Sequence, residues 1–358
     1  IRLQLMLRQR LAASRGLGIQ EGAVVALDSR NGGILAIAGG RDYRQSQFNR
    51  ASMALRQPGS AFKLIPYLVA VEKGAKPGDS VRCSPLLWRG QFYGSDCRGR
   101  LSLTSAFASS SNTAALRLGQ RVGLEAVVQK ALDLGITSPL APVPGLVLGQ
   151  SEVNLVELTA AYGAIANNGV WHAPTTIRRL TDAEACTGGT VEQCKPAGSP
   201  QRTSAPGRRI ATVAQAQTLQ QLLRAVVQRG TGTPAYLGGP EGGKTGTTNG
   251  GRDLLFIGYE PKRHWVIGIW LGNDDNSPTG SSSALAAELW SEIIRSAGRG
   301  SLERGEGGDQ LFEHLRIEGI QGLRAVERDE GDSVPLFNED GLIRHRGFHS
   351  SFDGSGAK

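Results

Sequence analysis

Long apolar runs are missing from this 358-residue chain. No stretch approaches the roughly eighteen apolar residues that a spanning helix needs, so no membrane span is read within it. Histidine is scarce, with five copies, and only His172 and His264 fall outside the last sixty residues. Neither is accompanied by a G-x-S-x-G elbow, which argues against a serine-histidine-aspartate hydrolase. No glycine-rich phosphate loop follows a strand pattern, and no ligand set has metal spacing. The four cysteines contain no C-x-x-C pair, which removes the common zinc motifs. No signal peptide opens the chain. It starts at Ile1 rather than Met, so it reads as a fragment with an anchor expected upstream.

What is present is enough for a core. With 39% hydrophobic and 20% charged residues, wholesale disorder is excluded. The net charge of +8 is uneven. Residues 301–358 carry 12 acidic and 7 basic side chains, so the first 300 residues hold a balance of +13. A basic body fits a polyanionic partner. Its arginines are scattered without interleaved aromatics, so nucleic acid is not expected. The cysteines form two local pairs, Cys83 with Cys97 and Cys186 with Cys194. Two short-loop disulfides in an oxidising, extracytoplasmic compartment are the simplest reading, and four unrelated thiols in a cytosolic protein are the alternative.

The pattern divides the chain into three. Residues 1–20 read as a basic connector helix carrying Leu3, Leu5, Leu7 and Leu11. Residues 21–298 read as one α+β domain. GAVVALD and ILAIAGG flank an Asn-Gly turn, and DLLFIGY and HWVIGIWLG flank a second turn. With the run at 242–248 they give five antiparallel strands, flanked by helices and a helical subdomain. Residues 60–73 predict a buried central helix. Further helices are expected over 102–118, 124–134, 154–166 and 212–228, with a surface loop over 181–209. Residues 299–358 read as an acidic, flexible tail.

Three segments hold candidate chemistry. Ser60 and Lys63 stand three apart, so a helical turn puts amine and hydroxyl on one face. Lysine loses its proton when desolvated or placed at a helix N-terminus, whereas arginine keeps it. The chain has eight lysines against thirty-two arginines. A neutral Lys63 would take the proton of Ser60 and make it a nucleophile. The spacing alone says little, because Ser355 and Lys358 repeat it in the tail. In the second segment, Ser110 and Asn112 offer a hydroxyl and an amide to one cleft. A serine-rich helix cap is the alternative there, and Ser29-Arg30-Asn31 shows the same pattern in a turn. The third is Lys244-Thr245-Gly246-Thr247. As a strand, it would let a ligand approach closely at Gly246 and would offer two hydroxyls to a carboxylate.

In this order and spacing the segments resemble the penicillin-recognising serine acyltransferases. FNRASMALRQPGSAFKLIPYLVAVEKG, GQSEVNLVELTAAYGAIANNGV and GKTGTTNGGRDLLFIGYEPKRHWVIGIWLGNDD are similar to the transpeptidase domain of bifunctional, class A penicillin-binding proteins, over residues 20–296. The resemblance implies that Ser60 attacks a D-Ala-D-Ala stem peptide with Lys63 as base. It implies that Ser110, Asn112 and Lys244 move protons, and that Thr245 and Thr247 hold the substrate carboxylate beside Gly246. The oxyanion hole would be the backbone N–H groups of Ser60 and Thr247. Peptidoglycan stem peptides and β-lactams are the implied partners, at the periplasmic side of a membrane, with no metal or cofactor. Such proteins carry a glycosyltransferase domain upstream, and none is present in this chain. A serine β-lactamase is the alternative, with Glu152 and Glu157 as the only nearby candidates to activate water; both sit in SEVNLVEL, which reads as a helix start with a structural role. A non-catalytic β-lactam sensor is a further alternative.

Overall fold

The computed structural model describes residues 2–95, 97, 99–176, 181–186, 194–196 and 206–302. The chain enters through helix α1 (Arg2–Ala13) and the hairpin β1 (Glu21–Asp28) and β2 (Ile34–Ala38). Helices α2 (Leu64–Glu72), α3 (Leu103–Ala108), α4 (Asn112–Val122), α5 (Leu124–Asp133), α6 (Leu155–Ala166) and α7 (Val213–Arg229) follow. The chain then returns to the sheet as β3 (Gly242–Thr247), β4 (Asp253–Glu260) and β5 (Trp265–Gly272), and continues in α8 (Ala284–Leu302). The sheet is five-stranded and antiparallel, in the order β3-β4-β5-β1-β2. Sequence-distant halves therefore meet where β1 pairs with β5, Val25 opposite Gly268.

Strand alternation divides the sheet into two cores. Ala23, Val25 and Leu27 of β1, with Leu255 and Ile257 of β4, face the first, which includes α2, α6 and α7 residues. Val24, Ala26, Leu254 and Phe256 face the second, against α1 and α8. Both faces of the central strands are covered, which is why these strands read as unbroken apolar runs. The N-terminal helix is part of this layer rather than a connector. Leu3, Leu7 and Leu11 are buried one turn apart, while Leu5 is 51% exposed. Full burial of each such leucine is worth about 1.5–3 kcal/mol. Arg10 then ties α1 to α8 through Glu288 and Glu292.

Some sequence expectations hold and some need correction. Helices α5, α6 and α7 match, with Asn154 and Thr212 capping the latter two. The helix expected over 60–73 is two pieces, a 3₁₀ turn Gly59–Lys63 and then α2. Pro66 is the third residue of α2, where a backbone N–H would have no partner in the helix, so it is tolerated. The single helix expected over 102–118 is broken into α3 and α4 by Ser109–Ser111. The surface loop expected over 181–209 contains short strands, Thr181–Cys186 with Cys194–Pro196, and Arg208–Arg209 with Val170–Trp171.

Cys83 and Cys97 form a disulfide. It closes a span of 14 residues, which by loop entropy removes about 3 kcal/mol of freedom from the unfolded chain. Cys186 lies opposite Cys194 in the backbone ladder. Their side chains, and so the second expected disulfide, lie outside the described residues, as does the acidic tail from residue 303 on.

Candidate active site

Ser60 occupies the second position of the 3₁₀ turn and Lys63 the last. In a 3₁₀ turn the side chains at i and i+3 eclipse, so the two residues share one face of the turn. Lys63 also precedes the first residue of α2, at the positive end of that helix. Two contacts pin the turn. Tyr162 of α6, fully buried, donates its hydroxyl to the Ala61 carbonyl at 2.7 Å. The edge strand β3 packs against it closely: a methyl group added at Gly246 would sit 2.3 Å from the Pro58 carbonyl. Gly59 has φ +50°, and a methyl there would meet the Thr247 carbonyl at 2.7 Å. Only glycine fits at either position.

Lys63 is fully buried and reaches the second segment. Its Nζ donates to the Ser110 carbonyl at 2.6 Å and to Asn112 Oδ1 at 2.6 Å, with Ser110 Oγ at 3.3 Å. The amine is thus held among three oxygens of the Ser110–Asn112 segment. Alternation within the second segment explains its three residues. Ser111 caps α4 by accepting from the Ala114 N–H at 3.2 Å, while Ser110 and Asn112 on either side turn to Lys63. Ser111 makes the cap contact, and its two neighbours make the contacts to Lys63. Ser110 has φ +59°, an uncommon conformation for a residue with a side chain. Such strain gathers at functional sites.

Lys244 comes from β3, is fully buried, and donates to Ser110 Oγ at 2.9 Å. The Ser110 hydroxyl thus lies between two lysines, a geometry suited to carrying a proton. Burial, and then the charge of Lys63, hold the Lys244 amine well below the ordinary lysine value of 10.5. Among the described residues no carboxylate pairs with it, so the neutral amine is the form the fold favours. The sign of the consequence follows from proton counting. Between the lowered value and 10.5 the unfolded chain binds more protons at Lys244 than the folded chain, so stability rises with pH. Lys244→Met should remove up to one proton's slope, about 1.4 kcal/mol per pH unit. Urea unfolding of both proteins across pH 7–10 measures it, and parallel profiles would contradict the neutral assignment.

The remaining residues of the third segment sit on β3 as the pleat dictates. Lys244 and Gly246 face the first core and the turn of Ser60, while Thr245 and Thr247 point to the opposite face. Thr245 is 4% exposed and shares a 2.6 Å hydrogen bond with Thr231 Oγ1. Thr247 is exposed, and its hydroxyl donates to Ser283 Oγ at 2.8 Å. The structure thus brings Ser60, Lys63, Ser110, Asn112, Lys244, Thr245, Gly246 and Thr247 around one turn and one sheet edge. Sequence reasoning missed Tyr162, Thr231 and Ser283. The serine run before α8 is a visible cap signal for Ser283, but its pairing with Thr247 is a long-range contact. Glu157 accepts from the hydroxyls of Thr137 and Ser138 at the start of α6, and Glu152 is exposed.

Residues 22–295 match the family described as the penicillin binding protein transpeptidase domain. The chain belongs to this family. Penicillin-binding protein 1A of Aquifex aeolicus is 35% identical over 289 residues, covering 77% of this chain and 38% of that protein. Penicillin-binding protein 2D of Bacillus subtilis is 30% identical over 298 residues, covering 78% of this chain and 41% of the relative. The chain therefore spans about two fifths of the relatives it matches. The structure of PonA1 from Mycobacterium tuberculosis in complex with penicillin V superposes with a TM-score of 0.69 at 24% identity, over 83% of this chain and 84% of that one. The likeness shows the shared α+β fold, with its five-stranded antiparallel sheet and flanking helices.

Proposed function

We propose that this domain is a serine-type D-Ala-D-Ala transpeptidase that cross-links peptidoglycan stem peptides. The observation that carries the reading is the buried Lys63–Ser110–Lys244 array, set one 3₁₀ turn from Ser60. In the first step Lys63 removes the Ser60 proton as the oxygen attacks the penultimate D-Ala carbonyl. Backbone N–H groups of Ser60 and Thr247 receive the oxyanion, since the turn and the edge strand touch at Gly59 and Thr247. Ser110, between the two amines, passes a proton to the departing D-Ala nitrogen. The C–N bond breaks and an ester to Ser60 remains. In the second step an amine of a neighbouring stem peptide attacks that ester, an amide forms, and Ser60 regains its proton.

The substrate is expected to lie along β3, an edge strand of the sheet among the described residues. Thr245 and Thr247 serve its terminal carboxylate, with Lys244 adding positive potential. Penicillin acylates Ser60 as a mimic of this peptide. The Cys83–Cys97 disulfide supports an oxidising compartment outside the cytoplasm. Among the described residues no helix is long and apolar enough to cross a membrane. Glu157 accepts from Thr137 and Ser138 at the start of α6, a structural engagement that weighs against the β-lactamase reading. Intact mass followed over time after brief penicillin exposure tests the assignment. A single, long-lived adduct is expected; rapid return to the free mass would favour a hydrolase, and no adduct would contradict both.

A further inference from the structure

Ser283 stands where α8 begins: its carbonyl accepts the N–H of Ala287 at 3.1 Å, so it is the N-cap residue. A serine there ordinarily spends its side-chain oxygen on the second or third N–H of its helix. Ser283 does not. It is 6% exposed, and among the described residues its Oγ makes one hydrogen bond, accepting from Thr247 Oγ1 at 2.8 Å. The neighbouring Ser282 caps instead, its Oγ accepting from Ala284 N at 3.3 Å.

Counting protons gives this pair a direction. Thr247 has one hydroxyl proton, and it is directed at Ser283. Ser283 also has one, and no described acceptor receives it. A carboxylate accepts hydrogen bonds and donates none. As placed, Thr247 presents lone pairs outward, the wrong polarity for an anion. If Ser283 turns its proton to Thr247 Oγ1, the Thr247 proton is freed to point outward. The bond between the two oxygens is kept and only its sense reverses. A hydroxyl that accepts one hydrogen bond is a stronger donor of the next.

We propose that Ser283 is a positioning residue for substrate recognition: by reversing its hydrogen bond with Thr247, it turns the Thr247 hydroxyl into a donor for the terminal carboxylate of the acyl donor. The inference rests on the Ser60 reading above and adds the specificity for a free carboxylate. The start of α8 contributes the positive end of a nineteen-residue helix to the same place. Alanine at position 283 leaves Thr247 without its relay partner. Threonine restores the hydroxyl on a side chain that helix caps accept.

The test compares benzylpenicillin with its methyl ester, which lacks the anion, by the second-order rate of adduct formation. Ser283→Ala should slow acylation by the free acid about tenfold, the scale of one hydrogen bond to a charged group, and change the ester rate less than twofold. Ser283→Thr should recover most of the acid rate. Equal losses for acid and ester, or no loss for either, would overturn the inference while leaving Ser60 intact. A wild-type protein that takes neither compound would overturn the Ser60 reading and this inference with it.

Discussion

Ser60→Ala is expected to abolish covalent labelling by penicillin while leaving the fold in place. Ser60 is only half-buried, and its 3₁₀ turn is held by Tyr162, Gly246 and Gly59 rather than by its own hydroxyl. Loss of one oxygen there removes the only atom proposed to form the ester. Intact mass after exposure should show one adduct on the wild type and none on the variant, with unchanged thermal melting. An adduct of equal mass and yield on Ser60→Ala would mean that another nucleophile does the work.

The second large effect is at Lys63. Removing a positioned general base typically costs about 10²- to 10⁴-fold in rate. Lys63→Ala should fall in that range for acylation by penicillin. The same substitution leaves the Ser110 carbonyl and Asn112 Oδ1 without their donor, so some of the loss could come from a shifted loop. Lys63→Arg separates the two causes. Arginine keeps the charge and donates to the same acceptors, but does not give up its proton near neutral pH. If Lys63 acts by taking a proton, arginine should be nearly as slow as alanine. If it acts as a fixed charge or a strut, arginine should keep most of the rate. Rapid-mixing measurement of adduct formation, with melting curves for each variant, distinguishes these outcomes.

Much of this was legible in the sequence, for a physical reason in each case. Ser60 and Lys63 share one turn, so spacing alone put them on one face, whether that turn is α or 3₁₀. The caps at Asn154 and Thr212 are local chemistry and marked their helices correctly. The apolar runs of β1, β4 and β5 announced strands covered on both faces. What was hidden is non-local. The break at Ser109–Ser111 looks tolerable inside a helix, and it is fixed by Lys63 and Lys244, 47 and 134 residues away. The strands within 181–209 hide in a polar composition, and Arg208 pairs with Trp171 across a long connection. The N-terminal helix read as a connector, yet Leu3, Leu7 and Leu11 form a buried stripe while Leu5 is exposed. The partners of the two threonines lie 14 and 36 residues off, and no local pattern names them.

The site also keeps two amines, Lys63 and Lys244, fully buried and in reach of one hydroxyl. Burial, and then the charge of Lys63, lower the Lys244 amine well below its ordinary value, so the second positive charge is the unfavourable one. Ser110 Oγ lies between the two amines, and in the proposed mechanism it passes the proton from the entering to the leaving side.

The most direct measurement is a crystal structure of the protein after reaction with benzylpenicillin. The account predicts continuous density from Ser60 Oγ to the opened lactam carbonyl. Its oxygen should lie within hydrogen-bond reach of the Ser60 and Thr247 backbone N–H groups, and its carboxylate beside Thr247. Penicillin bound at another side chain, or lying unopened along β3, would contradict it.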